Sequence, residues 1–160
     1  MGVEPEDVTG AVTVATSEPG SFGRAAAWLS KQVELALAGA ELSLPQYRVL
    51  GLLAEGVSIP SALADRLTVR RPTVTAVVDG LEIRGLVQRS PGDHDKRSVT
   101  HTLTTKGQRL LTKANAAVDA RLTDIAGSLD DPALTRQALD SLVLWRSAMR
   151  AYHAARQVRP

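Results

Sequence analysis

Residues Gln88–Leu103 read QRSPGDHDKRSVTHTL, a basic loop held between two short apolar runs. The segments Leu86 to Arg89 and Ser98 to Leu103 alternate as short strands, and Pro91, Gly92 and Asp93 supply the turn chemistry that folds one back on the other. The tip between them carries His94, Asp95, Lys96 and Arg97. A cation-tipped hairpin directly after a helix offers a polyanion two surfaces at once.

Upstream of the hairpin the pattern is helical. From Ser21 to Ala40, Phe22, Ala25, Ala26, Leu29, Val33, Ala36, Leu37 and Ala40 recur every three or four residues, while Trp28 and Leu35 lie off that stripe. A first helix that is apolar on two sides wants two partners, one of them another subunit. Ser43 followed by Gln46 is a capping box, flanked by Leu42 and Tyr47 in the positions of a hydrophobic staple, so a second helix begins there and stops at Gly56. Ser58 or Ile59 opens a third helix with Pro60 in its first turn and Leu63, Ala64 and Leu67 facing inward. Pro72 fits only the first turn of a fourth, which buries Val74, Val77, Val78 and Leu81 and ends at Gly85.

Three helices and a hairpin in that order make a winged helix-turn-helix lobe. Downstream, Thr104 or Thr105 opens a long fifth helix, with Thr105 and Gln108 spaced as a second capping box. Asp131 and Pro132 form a cap and first-turn pair for a last helix carrying Leu134, Ala138, Leu139, Leu142, Trp145, Met149 and Tyr152 on one stripe. The expected fold is therefore mainly α with a small β-hairpin wing. Residues 1 to 20 read as a flexible arm, 42 to 107 as the lobe, and 21 to 41 with 108 to 155 as a helical dimerisation region.

Composition agrees. The 160-residue chain is 44% apolar yet holds one Phe, two Tyr and two Trp, so its core is built from Leu, Val and Ala, which suits helices better than a sheet sandwich. It contains no Cys, which excludes disulfides, thiolate metal sites and thiol redox chemistry. The acidic start MGVEPEDVTG lacks the basic region of a secretion signal, and no apolar run is long enough for a membrane span, so a cytoplasmic location without membrane contact is expected. Net charge is −5 over residues 1 to 65, +6 over 66 to 113 and +1 over 114 to 160. The positive third coincides with the fourth helix and the hairpin, where phosphate contacts would supply affinity.

Four motifs, in order, resemble the MarR family of bacterial transcription regulators: LSLPQYRVL at Leu42 to Leu50, ALADRL at Ala62 to Leu67, RRPTVTAVVDGLEIRGLV at Arg70 to Val87, and DKRSVTHTLTTKG at Asp95 to Gly107. The resemblance covers roughly Ala25 to Tyr152. It implies a homodimer whose first, fifth and sixth helices interlock, acting as a repressor on pseudo-palindromic double-stranded DNA. It also implies release by a small aromatic or lipophilic anion bound between the dimer helices and the lobe.

The same resemblance assigns the wing arginine to Arg97, oriented by Asp95, with entry into an A·T-rich minor groove. Lys96 and Arg89 are expected to touch phosphates, carrying affinity without sequence. On the fourth helix Thr73, Thr75, Ala76 and Asp79 lie away from the buried stripe, so Thr73 and Thr75 can reach phosphates or base edges and the Ala76 methyl can meet a thymine methyl. The chain departs from the family at Ala76, where an Arg often stands, and at Gly80. Arg70 replaces the usual Ser or Thr cap; together with Arg71 it trades a helix cap for two cations facing phosphate. His101 falls on the half-buried side of the second strand, where it is expected to be a hydrogen-bonded structural residue.

Trp28, Tyr47 and Arg48 are the candidates for an aromatic-anion site, with ordinary core and interface roles as the alternative. No cofactor or metal is expected, since His94 has no companion at ligand spacing. A glycine-rich phosphate loop and a nucleophile set are both missing, so an enzyme is not expected. The rival to a DNA-binding regulator is a winged helix serving as a protein-interaction or scaffold module.

Overall fold

The structure, a computed structural model, describes residues 19–91 and 99–157. Its first helix, α1 (Ser21–Leu37), ends in a single 3-10 turn, Ala38–Ala40, that swings the chain into the lobe. Three helices follow: α2 (Leu44–Ala54), α3 (Pro60–Leu67) and α4 (Arg71–Ile83). An antiparallel hairpin, β1 (Val87–Pro91) with β2 (Val99–Leu103), precedes two long helices, α5 (Thr105–Ala126) and α6 (Pro132–Gln157).

Local chemistry explains the boundaries. The hydroxyl of Ser43 accepts the Gln46 amide while the Gln46 side chain accepts the Ser43 amide, so the capping box starts α2 as its spacing predicts. Gly56 and Gly85 adopt positive φ after α2 and α4, the backbone state that costs glycine least. Between α3 and α4, Thr68 also takes a left-handed conformation, an uncommon one for a β-branched residue. Its amide and that of Val69 bond back to Asp65 and Ala64, which sets the angle of the helix-turn-helix.

Two expectations are corrected. Pro91 is not a loop residue but the end of β1, paired with Val99; a two-stranded ribbon leaves each strand an open edge, where a missing amide does no harm. The cap of α5 is Thr104, whose hydroxyl accepts the Gly107 amide and donates to the Gly85 carbonyl, and not Thr105 with Gln108. Gly107 then presses against the carbonyl of Leu86 with no room for a Cβ, which locks α5 onto the base of the hairpin. Asp131 caps α6 as its position predicts, accepting the Ala133 amide at 2.7 Å.

The core sits under the lobe. Leu37, Leu50, Leu63, Leu81 and Leu86 are fully buried together with Val49, Val74, Val78 and Val87, and α5 contributes Leu111, Ala114 and Val118. Each of these leucines and valines contributes about 1.5–3 kcal/mol of burial. Val74, Val78 and Leu81 of the expected stripe on α4 are buried and Val77 is half-buried, which leaves the opposite face of that helix to solvent. By contrast α6 buries none of its described residues, and Phe22, Trp28 and Leu35 of α1 are exposed, as are Leu144, Trp145 and Met149 of α6.

Candidate nucleic-acid interface

Helix α4 starts on two cations instead of a cap. Arg70 occupies the N-cap position in extended conformation with no side-chain hydrogen bond to the first turn, and Arg71 and Pro72 follow. Both arginines are exposed, and neither makes an ion pair to a described residue. Thr73, Thr75 and Ala76 are exposed on the same helix. The Thr75 hydroxyl donates to the Arg71 carbonyl at 3.2 Å, so its oxygen is left to accept from a base or a water.

The wing base carries the opposite charge arrangement. Arg89 on β1 pairs with both Asp79 and Glu82 of α4, its Nε lying 3.0 Å from the Glu82 carboxylate. The expected phosphate clamp is therefore engaged inside the protein, holding the hairpin to α4 and offsetting two carboxylates. Asp79 faces outward as expected, but as a partner of Arg89. Asp95, Lys96 and Arg97, with His94, lie outside the described residues.

His101 stands directly across the hairpin from Arg89, so both side chains share one face of the ribbon. It is 5% exposed, and its backbone amide donates to the Ser58 carbonyl at 2.9 Å, joining the segment before α3 to the hairpin. Its Nδ1 has no hydrogen-bond partner, contrary to the expectation of a satisfied imidazole. Burial lowers its pKa below the ordinary value and Arg89 adds to that, while the Ser58 carbonyl, Glu82 and Asp79 pull the other way. The ring therefore stays neutral between α4 and β2.

A second feature lies on the far side of α2. A cleft of about 790 Å³ opens between α2, α5 and α6, with Tyr47 and Arg48 on its wall as expected. Trp28 is not part of it within one protomer. The Tyr47 hydroxyl donates to Asn115 at 2.8 Å, and burial together with Asp119 raises its pKa, so it is a neutral phenol. Arg48 donates to the Leu67 carbonyl. The residues that sequence reasoning missed are Arg66, Arg146 and Trp145, which line the same cleft. Trp145 and Arg146 are neighbours on α6 while Arg66 lies on α3, and no spacing rule connects the two stretches.

Among the described residues no group of His, Cys, Asp or Glu could hold a metal ion, and no helix is long and apolar enough to cross a membrane.

An exposed, cation-led helix packed beside a short hairpin on a three-helix lobe defines a winged helix-turn-helix DNA-binding protein. Comparison with known proteins makes this narrower: residues 40–98 match the MarR family model, and the chain is 32% identical over 110 residues to the HTH-type transcriptional repressor Rv2887 of Mycobacterium tuberculosis, covering 68% of this chain and 79% of that protein. The chain belongs to the MarR family and is a DNA-binding transcription regulator, not an enzyme. The crystal structure of Rv2887 in complex with p-aminosalicylic acid superposes with a TM-score of 0.64 at 29% identity, covering 78% of this chain and 94% of that one. The repressor CouR, from Rhodococcus jostii RHA1, bound to a 23-mer DNA duplex gives a TM-score of 0.65 at 29% identity over 79% of this chain and 89% of that one.

Proposed function

We propose that the chain acts as a homodimeric repressor that places α4 of each protomer in successive major grooves of a pseudo-palindromic operator. The observation that carries this reading is Arg70 and Arg71 at the start of α4, which make no ion pair to a described residue, beside exposed Thr73, Thr75 and Ala76. The relative CouR, solved on a 23-mer DNA duplex, supports duplex binding. Arg97, oriented by Asp95, enters the flanking minor groove, with Lys96 on phosphate. Exposure of both tryptophans, at 73% for Trp28 and 66% for Trp145, supports a second copy covering α1 and α6, because a monomer seldom shows water so much aromatic surface.

The 790 Å³ cleft takes an amphipathic anion that releases the operator. Arg48, Arg66, Arg146 and Arg150 face one acid, Glu55, over an apolar wall that includes Leu52, Leu111 and Trp145. The complex of Rv2887 with p-aminosalicylic acid supports that ligand class.

Selection of bound duplexes from a random pool tests the function. Two half-sites about 34 Å apart are expected, one helical turn. Substituting Arg97→Ala weakens binding to the selected site while light scattering still reports a dimer. Lack of duplex affinity near micromolar for the unsubstituted protein would instead favour a protein-interaction module.

A further inference from the structure

Helix α6 runs from the cleft just described to the turn of the helix-turn-helix. There it walls a second opening of about 530 Å³, which shares Arg66 and His153 with that cleft and whose other side is α3 and the residues leading into α4. Three arginines line this opening: Arg66 of α3, Arg70 at the N-cap of α4, and Arg156 of α6. Asp65 is the one acid among its lining residues. None of the three arginines makes an ion pair to a described residue. The guanidinium of Arg156 is nevertheless held in place, donating to the Tyr152 hydroxyl at 2.9 Å and lying 5.6 Å from the centre of that ring. The Tyr152 ring is itself met edge-on by His153.

Like charges gathered around an opening repel one another, and the arrangement is stabilised when an anion enters. Its position says which anion. In helix-turn-helix docking the first helix of the pair crosses the sugar-phosphate backbone while the N-terminal residues of the second reach the bases. The opening lies where α3 gives way to α4, on the path of that backbone. We infer that α6 is part of the DNA contact surface: Arg156, seated by Tyr152, joins Arg66 and Arg70 in clamping a backbone phosphate beside the recognition helix.

This inference rests on the DNA-binding reading above and extends it to a helix otherwise assigned to dimerisation. A phosphate clamp carries affinity without sequence, so its loss weakens all duplexes alike. The experiment is a fluorescence anisotropy titration of the full chain on a selected duplex over a range of salt concentrations. For the unsubstituted protein log K falls with log salt at a slope of about −0.9 per phosphate neutralised, and R156A is expected to flatten it by about 0.9 for each protomer bound. R156K restores the slope, because it restores the charge. R156Q keeps a long polar side chain without charge and behaves as R156A, separating charge from any change in the packing of α6.

An R156A and R156Q pair with unaltered slope and affinity overturns the inference. If R70A flattens the slope while both Arg156 variants do not, DNA binding through α4 stands and the role of α6 falls. If the unsubstituted protein binds no duplex, the DNA-binding reading falls and takes this inference with it.

Discussion

The guanidinium of Arg89 on the first wing strand is bound to the carboxylate of Asp79 on the outward face of the recognition helix, and Glu82 completes the triad. The three groups are partly exposed, so the pair is worth under about 1 kcal/mol of folding stability. Its larger effect is on DNA. Arg89→Ala leaves two uncompensated carboxylates on α4, so duplex affinity is expected to fall while the unfolding midpoint barely moves. Equal affinity for the variant and the parent in anisotropy would remove this role.

His101 makes the lobe sensitive to acid. Its pKa is lowered in the folded protein, chiefly by burial, from the ordinary value of 6.5. Folding therefore favours the neutral ring: its contribution is full above about pH 6.5 and is lost as pH falls through the lowered value. Urea unfolding at neutral and mildly acid pH should show the parent losing stability faster than His101→Leu. Parallel profiles for the two proteins would contradict it.

Gly107 has no room for a side chain, because a Cβ there would overlap the Leu86 carbonyl, which also accepts the Thr104 amide. Gly107→Ala must push α5 off the hairpin base, at about 1–3 kcal/mol. Chemical denaturation reads this directly, and an unchanged midpoint would show that the junction yields at no cost.

Gly80 presents the reverse case. The nearest atom to a Cβ built there is Gln46 Nε2 at 3.9 Å, an ordinary contact, and the residue lies inside α4 with helical backbone. Gly80→Ala should stabilise the lobe by up to about 1 kcal/mol. A loss of thermal stability would point to a packing constraint that this geometry does not contain.

Much of the fold was legible because it is encoded over short distances. The Ser43 and Gln46 box, the prolines at positions 60 and 72, and the stripe Val74, Val78, Leu81 act within a few turns of chain, so their spacing alone marked α2, α3 and α4. The misread boundaries had alternatives of equal local merit. Thr104 and Thr105 are both competent caps, and only the approach of Gly85 and Leu86 to the start of α5 selects the first. For the candidate site, the exposed face of α4 follows from periodicity, whereas the engagement of Arg89 required knowing which helix face the hairpin meets.

Gln88–Leu103 and its flanking helices were readable as a wing on a helix-turn-helix, because turn residues, caps and apolar period are local properties of the chain. Tertiary structure decided what the charges do. Arg89 was indistinguishable in sequence from a free phosphate contact, and folding spends it on Asp79 and Glu82. Arg66 and Arg156 are separated by the four elements α4, β1, β2 and α5, and folding gathers them with Arg70 around one opening. Electrostatic energy depends on distance through space, and that distance exists only once the helices have packed.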